Sequence, residues 1–296
     1  MTVSGGGARA EGQPAAGGRL FVVATPIGNL GDVTYRAIEV LRTVPLVAAE
    51  DTRLTRRLFA RYEIDTRLVS YHAQSGRGRE LELLEHLRAG QDLAIVTDAG
   101  TPLVSDPGAE LTSAWAAEGG AVVPIPGASA VLAALVASGL SAARWTFEGF
   151  LPRSGKERRT RLARVAADER ASVIYEAPSR VPATLADLAA TAGGDRRAAI
   201  CREMTKIHEE VVRGPLAELA ARAAAGELTL RGEFAIVLEA VAGGAAAKQA
   251  AGEPASMDDA RAEVARLVAG GTKRSDAARQ VAAATGVDRR ELYRPE

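Results

Sequence analysis

The 296-residue sequence lacks most features that mark a specialised class of protein. Its single cysteine, Cys201, excludes an intramolecular disulfide and a cysteine-based zinc site, and it suits a reducing compartment. No apolar run approaches the roughly 18 residues that a membrane span needs. The N-terminus also lacks the charged-then-apolar order of a signal peptide. We therefore expect a cytoplasmic protein with no membrane partner, and we predict no metal site.

An excess of charge of either sign is also missing, because 37 Lys and Arg side chains balance 37 Asp and Glu side chains. A nucleic-acid partner would therefore have to be bound by local basic patches. Only four of the basic residues are lysines, which indicates coding bias and weakens any argument from an arginine cluster. With 47% hydrophobic residues, the chain is long enough for two compact domains.

Strand and helix patterns alternate in the first part of the chain. Apolar runs predict strands over 20–24, 46–49, 68–71, 93–97 and 121–125. Helices are predicted over 33–42, with Asp32 as N-cap, after Asp51, and over 80–89 and 109–118. This alternation predicts a parallel α/β sheet, whose strands deliver loops to one ligand-binding edge. The loops expected to meet there contain Thr25, Glu50, Thr101 and Ser129.

The stretch Asp98–Gly108 is the most informative of these loops. It follows a buried strand, and its two glycines and two prolines keep it out of regular structure while it displays carboxylates and hydroxyls. The same residue types also occur in ordinary turns, so this loop alone leaves both interpretations open. The Gly/Pro loop after the first strand, residues 25–32, has neither the GxGxxG nor the GxxxxGK[ST] pattern, which disfavours a dehydrogenase or an NTPase.

Basic side chains cluster in three places, each of which is either a solvated surface or a phosphate-binding one. The first cluster shares a helix with Leu54, Leu58 and Phe59, which we expect in the core. The second is a loop and helix start, and the third lies at helix starts that resemble helix-turn-helix units. The predicted RNA contacts are Arg53, Arg56, Arg57, Arg61, Arg153, Lys156, Arg158, Arg159, Arg161, Lys273, Arg274, Arg289 and Arg290.

The second half of the chain predicts a mixed sheet. Strands are expected over 146–150, 172–176, 198–201 and 232–239, with 208–214 as an antiparallel neighbour of 198–201. Short helices are expected over 257–268, 275–284 and 287–293. The predicted organisation is a disordered tail (1–18), an N-terminal α/β domain (19–127), a second α/β domain (128–242), a linker (243–256) and a helical appendage (257–296).

Eight segments in order resemble the ribosomal RNA small subunit methyltransferase I family of the tetrapyrrole methylase superfamily. They are LFVVATPIGNLGDVTYRA, AAEDTRLTRRLF, TDAGTPLVSDPG, PIPGASA, FEGFLPRSGKER, YEAPSR, CREMTKIHEE and GEFAIVLEA. The resemblance implies methyl transfer from S-adenosylmethionine to the ribose 2'-hydroxyl of a decoding-region cytidine in small-subunit (16S) rRNA, free or in the 30S particle. It also implies a homodimer of two-domain subunits, each with a cofactor cleft between its domains. Thr101 stands where tetrapyrrole-modifying members have Asp, which argues against a tetrapyrrole substrate.

The resemblance also implies which residues contact the cofactor. From the first domain these are Pro26, Gly100, Thr101, Pro102, Leu103, Val104, Ser105, Ser129 and Ala130. The others are Tyr175, Glu176, Met204, Thr205, Glu233, Phe234 and Ala235.

Methylation of a ribose hydroxyl needs positioning and a base to take its proton. The first candidates are Glu50, Asp51, Asp98 and Asp106, followed by Glu176 and Glu203, with Lys206 as an electrostatic partner. Two structural alternatives stay open, since Asp51 can pair with Arg53 or cap its helix and Asp106 can form an Asx turn. The rival functions are a methyltransferase of the same superfamily acting on a tetrapyrrole or a protein, and a non-catalytic ribosome-assembly factor.

Overall fold

The computed structural model describes residues 17–104, 106–241, 257–269, 272–285 and 288–293. Ser105, the predicted linker and all but residues 17 and 18 of the predicted tail lie outside these ranges. The chain divides into two compact units. The first comprises the residues up to Ala137 together with Ile200–Val212 and Arg231–Ala235, and the second comprises the rest. Because these units interleave segments of chain, the contiguous bounds 19–127 and 128–242 stay a prediction.

The first unit contains a five-stranded sheet in which every neighbouring pair of strands is parallel, as predicted. Its strands are β1 (Arg19–Val23), β2 (Leu46–Ala49), β3 (Leu68–Ser70), β4 (Leu93–Val96) and β5 (Ala121–Ile125), in the order β3-β2-β4-β1-β5. The helices are α1 (Tyr35–Thr43), α2 (Thr52–Tyr62), α3 (Arg77–Arg88), α4 (Ala109–Ala117) and α5 (Ala130–Ser138). The carboxyl ends of all five strands therefore lie at one edge.

Alternate residues of each strand enter opposite cores, so the sheet is covered on both faces. Phe21 and Val23 of β1 pack with buried residues of α1 and α2. Leu20 and Val22 pack with residues of α3 and α4, including the fully buried Trp115. Burying a large apolar side chain of this kind stabilises a fold by roughly 1.5–3 kcal/mol.

Two local predictions about helices are wrong. Asp32 does not cap α1, since it ends a separate 3-10 turn and Thr34 is the N-cap, whose Oγ1 accepts a hydrogen bond from the Ala37 N–H at 3.2 Å. Leu54 is 42% exposed, because the buried face of α2 passes through Thr55 instead. A shift of one or two residues in the start of a helix decides which side chain caps it, and a small rotation decides which side chain is buried.

The second sheet has the order β6-β7-β10-β8-β9. Its strands are β6 (Trp145–Phe150), β7 (Ala171–Glu176), β8 (Arg197–Arg202), β9 (Glu210–Pro215) and β10 (Phe234–Leu238). The β6–β7 pair is parallel, whereas the seven-residue connection between β8 and β9 is too short for a parallel crossover. The predicted mixed sheet is therefore observed. Its helices are α6 (Gly155–Ala167), α7 (Val181–Ala192) and α8 (Leu216–Ala224).

The C-terminal part forms three short helices with a small core of their own. They are α9 (Met257–Ala269), α10 (Arg274–Thr285) and α11 (Arg289–Tyr293), as the periodicity predicts. Val264, Val281 and Leu292 are buried in this core. Within the described ranges, no helix has both the length and the apolar character to cross a membrane.

Candidate active site

Two loops at the carboxyl edge of the first sheet are joined by backbone hydrogen bonds. The first loop (residues 24–34) follows β1, and the glycine-proline loop (residues 97–108) follows β4. The Thr25 N–H donates to the Gly100 carbonyl at 2.8 Å, and the Gly100 N–H donates to the Thr25 carbonyl at 3.1 Å. The Thr25 hydroxyl also donates to the Thr97 carbonyl at 3.0 Å. Pro26 is thereby held, buried, beside the glycine-proline loop.

Three of the four first-choice carboxylates form a chain of hydrogen bonds between the ends of β2 and β4. The Asp98 N–H donates to Glu50 Oε2 at 3.3 Å, and the Asp51 N–H donates to Asp98 Oδ1 at 3.0 Å. Asp51 caps α2 by accepting from the Arg53 N–H at 2.8 Å, and it binds the Arg53 guanidinium at 2.6 Å. These carboxylates therefore fix the two strand ends to each other.

The pKa values of these carboxyls diverge. Hydrogen bonds from the Arg53 side chain and N–H lower the pKa of Asp51 to about 2. Asp51 is thus a poor proton acceptor near neutral pH, and both structural alternatives raised for it are realised. Burial raises the pKa values of Glu50 and Asp98 instead, against the effect of the N–H groups that they accept.

Asp106 is the carboxylate best prepared to exchange a proton. Burial raises its pKa to about 6, the neighbouring Thr97 hydroxyl moderates the rise, and the charges of Glu50 and Asp98 increase it. The Thr97 hydroxyl is itself buried and lacks a close hydrogen-bond partner among the described residues. Unlike the other three carboxylates, Asp106 receives no backbone hydrogen bond from the described residues.

The turn between β8 and β9 packs against the first loop. Lys206 Nζ binds Glu203 Oε1 at 2.8 Å and Glu233 Oε2 at 2.9 Å, while its stem covers Gly28. A Cβ on Gly28 would lie 2.3 Å from Lys206 Cγ, so this close approach requires glycine. The sequence predicts Lys206 as an electrostatic partner, and its ammonium is committed to the carboxylates of Glu203 and Glu233. We therefore assign it a positioning role.

The residues beside Lys206 adopt unusual backbone conformations. Glu203 and Thr205 have φ values of 51° and 67°, in the left-handed region that costs a non-glycine residue roughly 1–2 kcal/mol. Met204 lies between them, and the Thr205 hydroxyl is buried without a hydrogen-bond partner among the described residues. Strain of this kind often occurs at functional sites.

Several predicted cofactor contacts lie on these loops of the first unit. Pro102 is buried and Val104 is 42% exposed, while Ser129 Oγ accepts a hydrogen bond from the Leu132 N–H at 3.5 Å. Thr101 and Leu103 are partly buried, Ala130 begins α5, and Phe234 and Ala235 are buried in β10.

In the second unit, groups close to Glu176 in sequence bind its carboxylate. Its buried carboxylate accepts hydrogen bonds from the Ala177 N–H at 2.9 Å and the Thr184 hydroxyl at 2.6 Å, and it pairs with Arg180 at 3.2 Å. These bonds argue against Glu176 as a base, whereas its contact with the cofactor stays a prediction. The neighbouring Tyr175 packs edge-on against Phe147, with 4.8 Å between ring centroids.

One predicted RNA contact is inaccessible. Arg158 is 8% exposed and donates to Asp187, to the Thr184 hydroxyl and to the Pro152 carbonyl. Arg161 is partly buried and pairs with Glu148. The remaining predicted contacts are exposed, namely Arg53, Arg56, Arg57, Arg61, Arg153, Lys156, Arg159, Lys273, Arg274, Arg289 and Arg290.

A cavity of about 310 Å³ opens beside the ends of β2 and β3. The sequence analysis assigned no role to Ser70 or His72 and did not predict this cavity. The signal available was their position at the carboxyl end of a strand, since Ser70 ends β3 and His72 follows two residues later. The cavity is lined by Glu50, Asp51, Thr52, Arg53, Ser70 and His72.

Comparison with known proteins gives one consistent result. A family model described as Tetrapyrrole (Corrin/Porphyrin) Methylases matches residues 19–220. The ribosomal RNA small subunit methyltransferase I of a Synechocystis species is 46% identical over 276 residues, which cover 93% of this chain and 96% of that protein. The protein of the same name from Micromonospora olivasterospora is 47% identical over 88% of this chain and 81% of its own.

Solved structures share the fold at low sequence identity. Uroporphyrin-III C-methyl transferase from Thermus thermophilus, complexed with S-adenyl homocysteine, has a TM-score of 0.54 and 21% identity over 75% of this chain and 97% of its own. A diphthine synthase has a TM-score of 0.58 and 15% identity over 75% and 90%. These two proteins differ in substrate, so the likeness shows the fold alone.

Proposed function

The chain belongs to the ribosomal RNA small subunit methyltransferase I family of the tetrapyrrole methylases, and from this premise we propose that it methylates small-subunit rRNA. S-adenosylmethionine is the methyl donor, and the acceptor is the ribose 2'-hydroxyl of a decoding-region cytidine. The observation that carries the proposal is the 46% identity to a relative of that name over nearly the whole of both chains. The same matches disfavour a tetrapyrrole substrate.

The loops of the first unit fit the cofactor. The bridge between Thr25 and Gly100 brings the backbones of two loops together, and small residues allow a ligand to approach main-chain groups closely. The buried Thr205 hydroxyl lacks a partner among the described residues and is available to a ligand. We assign the binding to Pro26, Gly100 to Val104, Ser129, Ala130, Met204 and Thr205. When bound, S-adenosylmethionine supplies an electrophilic methyl group on a sulfonium.

We assign the role of base to Asp106. A ribose hydroxyl is a weak nucleophile at neutral pH, so its oxygen must lose a proton while it accepts the methyl group. The Asp106 carboxylate takes that proton, because no backbone N–H of the described residues donates to it and burial raises its pKa to about 6. Glu50 and Asp98 act on it indirectly, since their negative charges help to keep its pKa high.

RNA binding is assigned to the exposed basic residues. Arg53, Arg56, Arg57 and Arg61 share α2, and guanidinium groups are well suited to phosphate. We expect affinity for small subunits to fall steeply with salt, and to fall further when two of these residues are neutralised. Binding that does not respond to salt would contradict this assignment. We also propose that the protein acts in the cytoplasm as a homodimer, which sedimentation at micromolar concentration tests.

The deciding experiment uses small subunits from cells that lack this protein. The purified chain and labelled S-adenosylmethionine are added to intact subunits and, separately, to naked rRNA, and the modified nucleoside is identified by mass spectrometry. The proposal expects a single 2'-O-methylcytidine. Cofactor binding by calorimetry without any transfer would instead support an assembly factor, and a tetrapyrrole absorbance that co-purifies with the chain would support the superfamily rival.

A further inference from the structure

The cavity beside β2 and β3 has a distinctive lining. Two carboxylates, two hydroxyls, an imidazole and a guanidinium surround about 310 Å³, with no apolar side chain among them. A volume of this size is at the lower end of the range for small-molecule sites. We therefore expect a small polar ligand, with donors to face Glu50 and an acceptor to face the guanidinium of Arg53.

We propose that this cavity receives the acceptor nucleotide after it has flipped out of the rRNA. The inference rests on the function proposed above and names the substrate site within it. Enzymes that modify a nucleotide of structured RNA can take it out of its stack and hold it in a pocket, which lets them position one ribose and read its base. Glu50 lines the cavity and its charge also acts on Asp106, so a nucleotide bound in the cavity would have its ribose on the side of the proposed base.

Arg53 connects the cavity with the basic face of α2. It is in the first turn of the helix, its side chain is 85% exposed, and Arg56, Arg57 and Arg61 follow along the same helix. Arg53 uses Nε and Nη2 to bind Asp51, which leaves Nη1 without a hydrogen bond among the described residues. We therefore assign Arg53 to the phosphate of the flipped nucleotide, with the remaining arginines along the flanking backbone.

Glu50 is placed to read the base. Its Oε2 accepts from the Asp98 N–H, while Oε1 has no hydrogen bond from the described residues. A carboxylate accepts a hydrogen bond from the exocyclic amine of cytosine. Uracil presents an oxygen at that position, which the carboxylate repels. Glu50 therefore favours cytidine over uridine.

His72 supplies a donor on the other side. The backbone N–H of Gln74 donates to His72 Nδ1 at 3.2 Å, and the backbone N–H of His72 donates to Ser75 Oγ at 2.9 Å. Because Nδ1 is an acceptor in this arrangement, the proton of the neutral ring is on Nε2. The ring is thus fixed as a hydrogen-bond donor to an oxygen of the nucleotide.

The test compares Arg53→Ala and His72→Ala with Arg36→Ala, which removes an exposed arginine of α1 outside the cavity. Initial rates are measured on small subunits, S-adenosylmethionine affinity by calorimetry, and folding by thermal unfolding. We expect the two cavity variants to raise KM for subunits about tenfold with unchanged cofactor affinity. Arg36→Ala should change neither. Equal effects of all three variants, or a loss of cofactor affinity in the cavity variants, would overturn the assignment.

Glu50→Gln tests base reading on subunits that carry cytidine or uridine at the target. The rate on cytidine subunits divided by the rate on uridine subunits should be at least fivefold lower for the variant than for wild type, because an amide can donate to the uracil oxygen. An unchanged ratio contradicts the role given to Glu50. If the wild-type chain methylates neither substrate, the proposed function fails and the cavity assignment fails with it. If the wild type is active but the variants match it, only the cavity assignment is lost.

Discussion

Replacement of Asp106 by Asn should stabilise the protein at pH 8 and slow methyl transfer. Burial raises the pKa of this carboxyl to about 6 from an ordinary value of 3.8, so the folded state binds its proton more tightly than the unfolded state does. The tighter proton binding therefore stabilises the folded state fully below pH 4, and this stabilisation is lost as the pH rises to 6. Above pH 6 the folded protein carries a partly buried charge that Asn would remove.

The magnitude follows from the shift. A difference of about two pKa units corresponds to about 3 kcal/mol at most. Because the side chain is only partly buried, solvent screens the charge, and we halve the value to about 1.5 kcal/mol. Most of this difference in stability between Asp106→Asn and wild type develops between pH 4 and pH 7. The melting temperature of the variant relative to wild type should therefore rise by about 3 °C across that interval.

The assay is thermal unfolding of wild type and Asp106→Asn at several pH values from 4 to 8. Comparing one variant with itself across pH removes any constant effect of the amide on the loop. Asp51→Asn is the control of opposite sign, because hydrogen bonds from Arg53 hold the pKa of Asp51 at about 2 and its loss should destabilise near neutral pH. A difference between Asp106→Asn and wild type that does not change with pH would refute the reasoning. In the same variant kcat should fall by roughly 10²-fold or more, because the amide cannot accept the proton.

Three further substitutions test the fold around the site. Gly108→Ala places a Cβ 2.4 Å from Ile95 Cδ1, at a residue whose φ is 114°. Urea unfolding should therefore show a free energy of unfolding lower by about 2–4 kcal/mol. Adding Ile95→Val, which removes that Cδ1, should restore part of the loss. Lys206→Met keeps the stem over the first loop but removes the ammonium that lowers the pKa of Glu203. Because the turn then loses this ion pair, calorimetry should show cofactor affinity up to fivefold weaker. Arg158→Met should lower the urea midpoint by an amount worth about 2–4 kcal/mol without changing the salt dependence of RNA binding, because that guanidinium is buried.

Local sequence patterns were sufficient to predict the strands and their direction. The run Leu93–Val96 is apolar throughout and is followed by Gly and Pro, as a strand buried on both faces requires, and the observed β4 covers the same four residues. The boundaries of the helices were harder to predict. Thr34 and Asp32 are both good caps, and the choice between them depends on how the chain leaves the 3-10 turn.

The partners of charged side chains were beyond sequence reasoning wherever they come from distant segments. Arg158 is in a basic run that is typical of an RNA-binding loop. It is nevertheless buried, because α7 supplies Asp187 and Thr184, nearly thirty residues further along the chain. The partners of the Glu176 carboxylate were missed for a similar reason, since Thr184 and Arg180 reach it from the helical segment that follows β7.

Asp51 and Asp106 show which properties of a carboxylate can be predicted from sequence and which cannot. Both follow strands of one parallel sheet, and both were equal candidates for the base. The partner of Asp51 is Arg53, two residues away, so the local sequence already contained the alternative that the structure realises. The high pKa of Asp106 comes from burial and from the charges of Glu50 and Asp98, of which Glu50 comes from a different strand. A carboxylate satisfied by its neighbours in sequence can thus be set aside early, whereas one activated by tertiary burial is recognised only when the strand ends are seen together.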